Sequence, residues 1–138
     1  RGAGVLDAFL LDDGWDEHDS LWDTSKWRFP NGFKPLLEEG ARWGTGMAVW
    51  MSPVGGYQGR DIRLRIGRKE HLEIGPGAFG EGFRLSGPKY FERFEGIATN
   101  RLREGFVMFK FDGIGGGWGQ TGAGMFLSDF EAMLRLVG

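Results

Sequence analysis

The sequence predicts an α/β fold built on a parallel sheet, and three observations carry that reading. Short, nearly continuous apolar runs recur at residues 6–11, 46–53 and 106–112, as expected of strands covered on both faces. Segments with helix start and stop signals lie between and after them. The order strand, helix, strand, helix, strand, helix is the pattern of crossover units.

The first strand, "LDAFLL", runs from Leu6 to Leu11 into the acidic loop "DDGWDEHD". Residues 36–43, "LLEEGARW", predict a short helix with Pro35 near its first turn and Gly44 at its stop. "GMAVWMSP" is the second strand and ends in the loop "VGGYQG". "RDIRLRIGRKEH" predicts a weak helix at best, with Gly67 in its middle and its charges on a solvated face. "LEIGPGAFGEGFRL" reads as irregular and glycine-rich.

A firmer helix follows. Pro88 stands where a missing N–H costs nothing, and Gly105 ends the run. Tyr90, Phe94, Ile97, Arg101 and Leu102 recur on one side at spacings of three and four. "FVMFKFD" is the third strand, and Ser128 with Glu131 forms a capping box ahead of "AMLRLV".

The 138 residues make one domain spanning 1–138. A hydrophobic content of 41% supports a core. The net charge of −2, with no basic stripe, argues against nucleic acid as the main partner. The absence of cysteine excludes disulfides and thiolate chemistry and leaves the compartment open. No apolar run reaches the ~20 residues of a membrane span. Glycine accounts for 26 residues and tryptophan for 6, which predicts ordered loops with aromatic walls; indole faces also suit the apolar faces of sugar rings. A three-stranded parallel sheet alone would expose both edges, so the chain is expected to be a segment of a larger α/β structure whose remainder lies in further sequence.

Ligands of parallel α/β folds meet the carboxyl ends of strands. Those ends carry Asp12, Asp13, Gly14 and Trp15 in the first case, Trp50 to Pro53 in the second, and Lys110 to Gly113 in the third. Alternation sets Lys110 and Asp112 on one face and Phe109 and Phe111 on the other. A lysine beside an aspartate favours the ionised carboxylate. A fixed carboxylate there can act as nucleophile, base or metal ligand, and Asp12 and Asp13 can grip hydroxyls or a cation. The competing reading makes both Asp-Gly pairs plain turns and the tryptophans plain packing. The glycines at 117, 119 and 122 match a dinucleotide pattern that a glycine-rich chain meets by chance. His18 and His71 lack metal-ligand spacing, and no cofactor or metal is expected.

"FLLDDGWD", "GMAVWMSPVGGY", "FRLSGPKYFERF" and "FKFDGIG" together resemble the α-galactosidase (melibiase-like) glycoside hydrolases of clan D. The resemblance implies part of a (β/α)8 barrel, its second to fourth βα units, and a retaining hydrolase cleaving a terminal α-linked sugar of an oligosaccharide or glycoside. It makes Asp112 the nucleophile and Lys110 a substrate-binding lysine. It assigns Asp12 and Asp13 to sugar hydroxyls, Trp15 to a wall, and Trp50 to Ser52 to the same pocket. The family's acid/base, an aspartate after the sixth strand, falls on no residue here. Retaining hydrolysis needs one ionised and one protonated carboxyl, and Lys110 is expected to keep Asp112 ionised. Two alternatives stay open: a carbohydrate-binding or vestigial module without catalysis, and a Mg²⁺-dependent phosphotransfer domain using the strand-end aspartates and lysine.

Overall fold

A computed structural model of the chain describes residues 6–77, 80–114 and 122–138. Three parallel strands form one sheet in the order β1 (Ala8–Leu11), β2 (Gly46–Met51), β5 (Met108–Phe111). Leu11 pairs with Val49, and Trp50 pairs with Lys110. The strands are linked by α1 (Lys34–Arg42), α2 (Arg60–Lys69) and α3 (Pro88–Glu104), and α4 (Asp129–Val137) follows β5. A second, antiparallel pair, β3 (Ile74–Gly77) and β4 (Gly80–Phe83), lies between α2 and α3. The predicted mixed α/β class and parallel sheet are therefore present.

Two segments depart from the sequence expectation. "RDIRLRIGRK" is a full ten-residue helix, α2, with Arg63, Leu64 and Gly67 buried. Gly67 weakens it intrinsically but is dictated by packing: a Cβ there would stand 2.3 Å from the Phe83 ring. The "irregular" stretch holds the β3–β4 pair. Its strands, "IGPG" and "GEGF", carry too few side chains for an alternating pattern to register.

The third helix is the main packing element. Tyr90, Phe91, Phe94, Ala98 and Arg101 are buried on one face. Leu102, expected on that face, is instead 53% exposed; it lies about 100° round the helix from Arg101. The Glu73 carboxylate accepts from the Tyr90 amide at 2.8 Å and satisfies one of the free N–H groups of the first turn. Gly105, at φ 115°, closes the helix while the Phe106 amide reaches back to the Arg101 carbonyl. Ser128 caps α4 as predicted, its Oγ accepting from the Glu131 amide at 3.1 Å. The Glu131 carboxylate accepts from the Leu127 amide, one residue before the cap.

Beneath the sheet ends lies an aromatic core. Trp15 packs on Trp22 and Phe33, Trp22 meets Trp50 edge-on, and Phe83 stacks on Tyr90 with ring centres 4.2 Å apart. Burying each such ring contributes on the order of 2–3 kcal/mol. Since β1, β2 and β5 run in one direction, their carboxyl ends bring residues 12, 50–52 and 110–112 to one edge of the sheet.

Candidate functional site

At that edge the backbone fixes two aspartates in the same way. Asp12 Oδ1 accepts from the Asp13 amide at 2.8 Å, and Asp112 Oδ1 accepts from the Gly113 amide at 2.7 Å. The Asp112 amide donates to the Met51 carbonyl at 2.9 Å, so pairing of β5 with β2 continues one residue past the strand and sets Asp112 in place. Gly113 has φ 79°, and a Cβ there would lie 2.8 Å from Val54, so both conformation and space require glycine.

Asp112 collects two side-chain donors as well. The Trp50 indole donates to Oδ2 at 3.0 Å, and the Tyr57 hydroxyl donates to Oδ1 at 3.2 Å. The indole hydrogen bond is the chief cause holding the Asp112 carboxyl below the usual aspartate value. The Gly113 amide, the Tyr57 hydroxyl and, last, the charge of Lys110 act in the same direction against partial burial. Burial and the Asp112 charge in turn push the Tyr57 phenol up.

Lys110 has a different partner from the expected one. Its Nζ lies 2.9 Å from Asp12 Oδ2. This ion pair holds the Asp12 carboxyl low and the Lys110 ammonium high. Lys110 favours the ionised Asp112 as expected, but through its charge alone and as the last of the causes, while the Trp50 hydrogen bond takes the leading part.

The tryptophans are corrected too. Trp15 and Trp50 are 2% and 1% exposed, so neither ring offers an open face to a sugar. Trp15 donates its indole N–H to the Trp50 carbonyl at 2.7 Å, and Trp50 spends its own on Asp112. They form a floor that orients the carboxylate. Trp118 and the glycines at 117 and 119 lie outside the described residues.

The structure brings together Asp12, Lys110, Asp112 and Trp50, and adds Tyr57, which sequence reasoning missed. Its signal was the loop "VGGYQG", where Gly55 and Gly56 both take positive φ and return the chain toward the strand ends. Asp13 turns elsewhere. Burial, and then the charge of Asp16, push its carboxyl up, and its neighbours also include Arg63 and His18. The arrangement provides an ionised, hydrogen-bonded carboxylate beside an exposed ammonium–carboxylate pair, a donor and an acceptor for a polyhydroxyl ligand. A groove of about 820 Å³ lies at the opposite end of the sheet, beside Gly46, Met47 and Val107.

No family model and no curated protein matches the chain. Among solved structures it is similar to the crystal structure of the alpha-galactosidase from Lactobacillus brevis. The TM-score is 0.59 and the identity 18%, over 76% of this chain and 16% of that one. The likeness is one of fold, a parallel α/β arrangement shared with a glycoside hydrolase. The chain spans a small part of that neighbour's length.

Proposed function

We propose that this chain is the nucleophile-bearing part of a retaining glycoside hydrolase that removes a terminal α-linked sugar, galactose first among candidates, within a (β/α)8 barrel. The observation that carries the reading is Asp112. It stands at the end of a parallel strand with Oδ1 bound to Gly113 and Tyr57 and Oδ2 to Trp50, so the carboxyl is ionised and fixed in orientation.

In this reading an Asp112 oxygen attacks the anomeric carbon as the bond to the leaving group breaks. The negative carboxylate opposes the positive charge developing on the ring, and a glycosyl-aspartate ester results. Water then cleaves the ester and regenerates Asp112. Asp12 and Lys110 bind sugar hydroxyls, one accepting and one donating. The acid/base that protonates the leaving oxygen comes from outside these residues.

The test uses the full protein carrying this chain and 4-nitrophenyl α-galactoside. Replacing Asp112 with Gly should lower kcat at least ~10³-fold, the scale of losing a group on which the whole reaction turns. Added azide should restore turnover and give the β-galactosyl azide, because the small anion enters from the face the carboxylate occupied. Full activity in Asp112→Gly would remove the assignment. Galactose binding without turnover in the unmodified protein would favour a carbohydrate-binding module instead.

A further inference from the structure

The loop after β1 contains a second group of donors that the proposed hydrolysis does not use. Asp13, Asp16 and His18 each offer a ligand atom, and these atoms lie within 4.8 Å of one another. Among the described residues, Asp13 Oδ1, Asp16 Oδ1 and His18 Nε2 are all buried without a hydrogen-bond partner. Asp16 itself is 0% exposed. Leaving one buried polar atom unsatisfied costs about 1–3 kcal/mol, and each of these three clustered residues carries one, which calls for an occupant.

The surroundings are built to present these atoms. Arg63 is wholly buried and pairs through Nη2 with the other oxygen of Asp16. Its Nη1 donates to the Gly55 and Gln58 carbonyls at 2.9 and 2.7 Å, and its guanidinium lies 4.3 Å from the Trp22 ring. Asp16 is therefore held by one oxygen while the other stays free, as outer-shell partners hold metal-binding carboxylates. His18 is pressed against the start of α2. A Cβ on Gly59 would lie 2.8 Å from His18, so glycine there permits the contact. Two carboxylates face one guanidinium, which leaves a negative charge in a buried space.

We propose that Asp13, Asp16 and His18 bind a divalent first-row metal ion, with Zn²⁺ the best-fitting probe. Two carboxylates and an imidazole form a mixed oxygen and nitrogen set, which suits zinc or manganese better than calcium or magnesium. With bonds of about 2.0–2.2 Å, donors around one ion lie within roughly 4.4 Å of each other, so a small side-chain rotation closes this set. The ion would brace the loop that begins at Asp12. It does not depend on the hydrolase reading, since its readout is binding.

The experiment titrates the chelator-stripped full protein with Zn²⁺ by calorimetry. One equivalent should bind, and His18→Ala should weaken it at least tenfold. No binding, or the same Kd in His18→Ala, would overturn the proposal. A variant that fails to fold does not stall the test, because the unmodified protein answers it by ¹⁵N-histidine NMR. Zn²⁺ should move the Nε2 resonance of His18 and leave that of the exposed His71 unchanged. A His18 resonance indifferent to zinc overturns the site.

Discussion

Lys110 reaches Asp12 across the central strand of the sheet: β1 and β5 are its two outer strands, and Nζ and Oδ2 meet at 2.9 Å over the end of β2. Neighbouring strands stand about 4.8 Å apart, so the two side chains and the contact between them together bridge two strand spacings. The pair ties together tips that share no backbone hydrogen bond.

Both side chains are substantially exposed, and such pairs add little to stability. We expect Lys110→Met to shift Tm by no more than about 2 °C. In the proposed hydrolase the same change should raise KM roughly tenfold to a hundredfold, the worth of a hydrogen bond from a charged group. Thermal melts and steady-state kinetics on one preparation check both. A large fall in Tm with unchanged KM would make the pair structural.

The hydrogen bonds on Asp112 make a pH prediction. Its carboxyl is depressed in the folded protein, so its contribution to stability is present above the ordinary aspartate range and is lost as pH falls through the folded value. Trp50→Phe should raise the Asp112 value toward normal, and Tyr57→Phe should raise it less. Carbon-13 NMR titration of the aspartate carboxyls measures both. The acid limb of any activity should move upward in the same order.

Arg63→Met should be among the costliest substitutions. It leaves the wholly buried Asp16 carboxylate without its counter-charge, a loss of about 3–5 kcal/mol. Adding Asp16→Asn should recover part of that, because the stranded charge goes with it. Urea unfolding of the single and double variants gives the coupling.

Gly67→Ala should invert the usual rule for helices. In an exposed helix interior, alanine for glycine stabilises by up to ~1 kcal/mol. Here the new methyl meets the Phe83 ring, which is 1% exposed and stacked on Tyr90 and has nowhere to go. A net loss of about 1–3 kcal/mol is expected, again read by denaturant unfolding.

Local signals proved legible where chain chemistry decides the outcome. The apolar strands, the Pro88 start and Gly105 stop of α3, and the Ser128 cap all follow from their own residues. What escaped was decided by neighbours distant in sequence. Gly67 reads as a helix defect until Phe83 is seen opposite it. Trp15 and Trp50 leave packing and ligand stacking both open until their rings are seen buried and their indole N–H groups partnered. Lys110 lies two residues from Asp112 in sequence, but the sheet order and the direction of its side chain give it Asp12, and no spacing rule reveals that.

That last contact joins positions separated by 98 residues. Chain closure over such a span comes late, after local elements have formed, because its entropy must be lost before the contact can return anything. Assembly should therefore run from α3 and the β3–β4 pair outward, with the tips of β1 and β5 drawn together at the end. Pulse-labelled hydrogen exchange should find the amides of α3 protected before those around Asp12 and Asp112. The Lys110–Asp12 half of this edge then marks completed folding, because it forms only once both outer strands are in place.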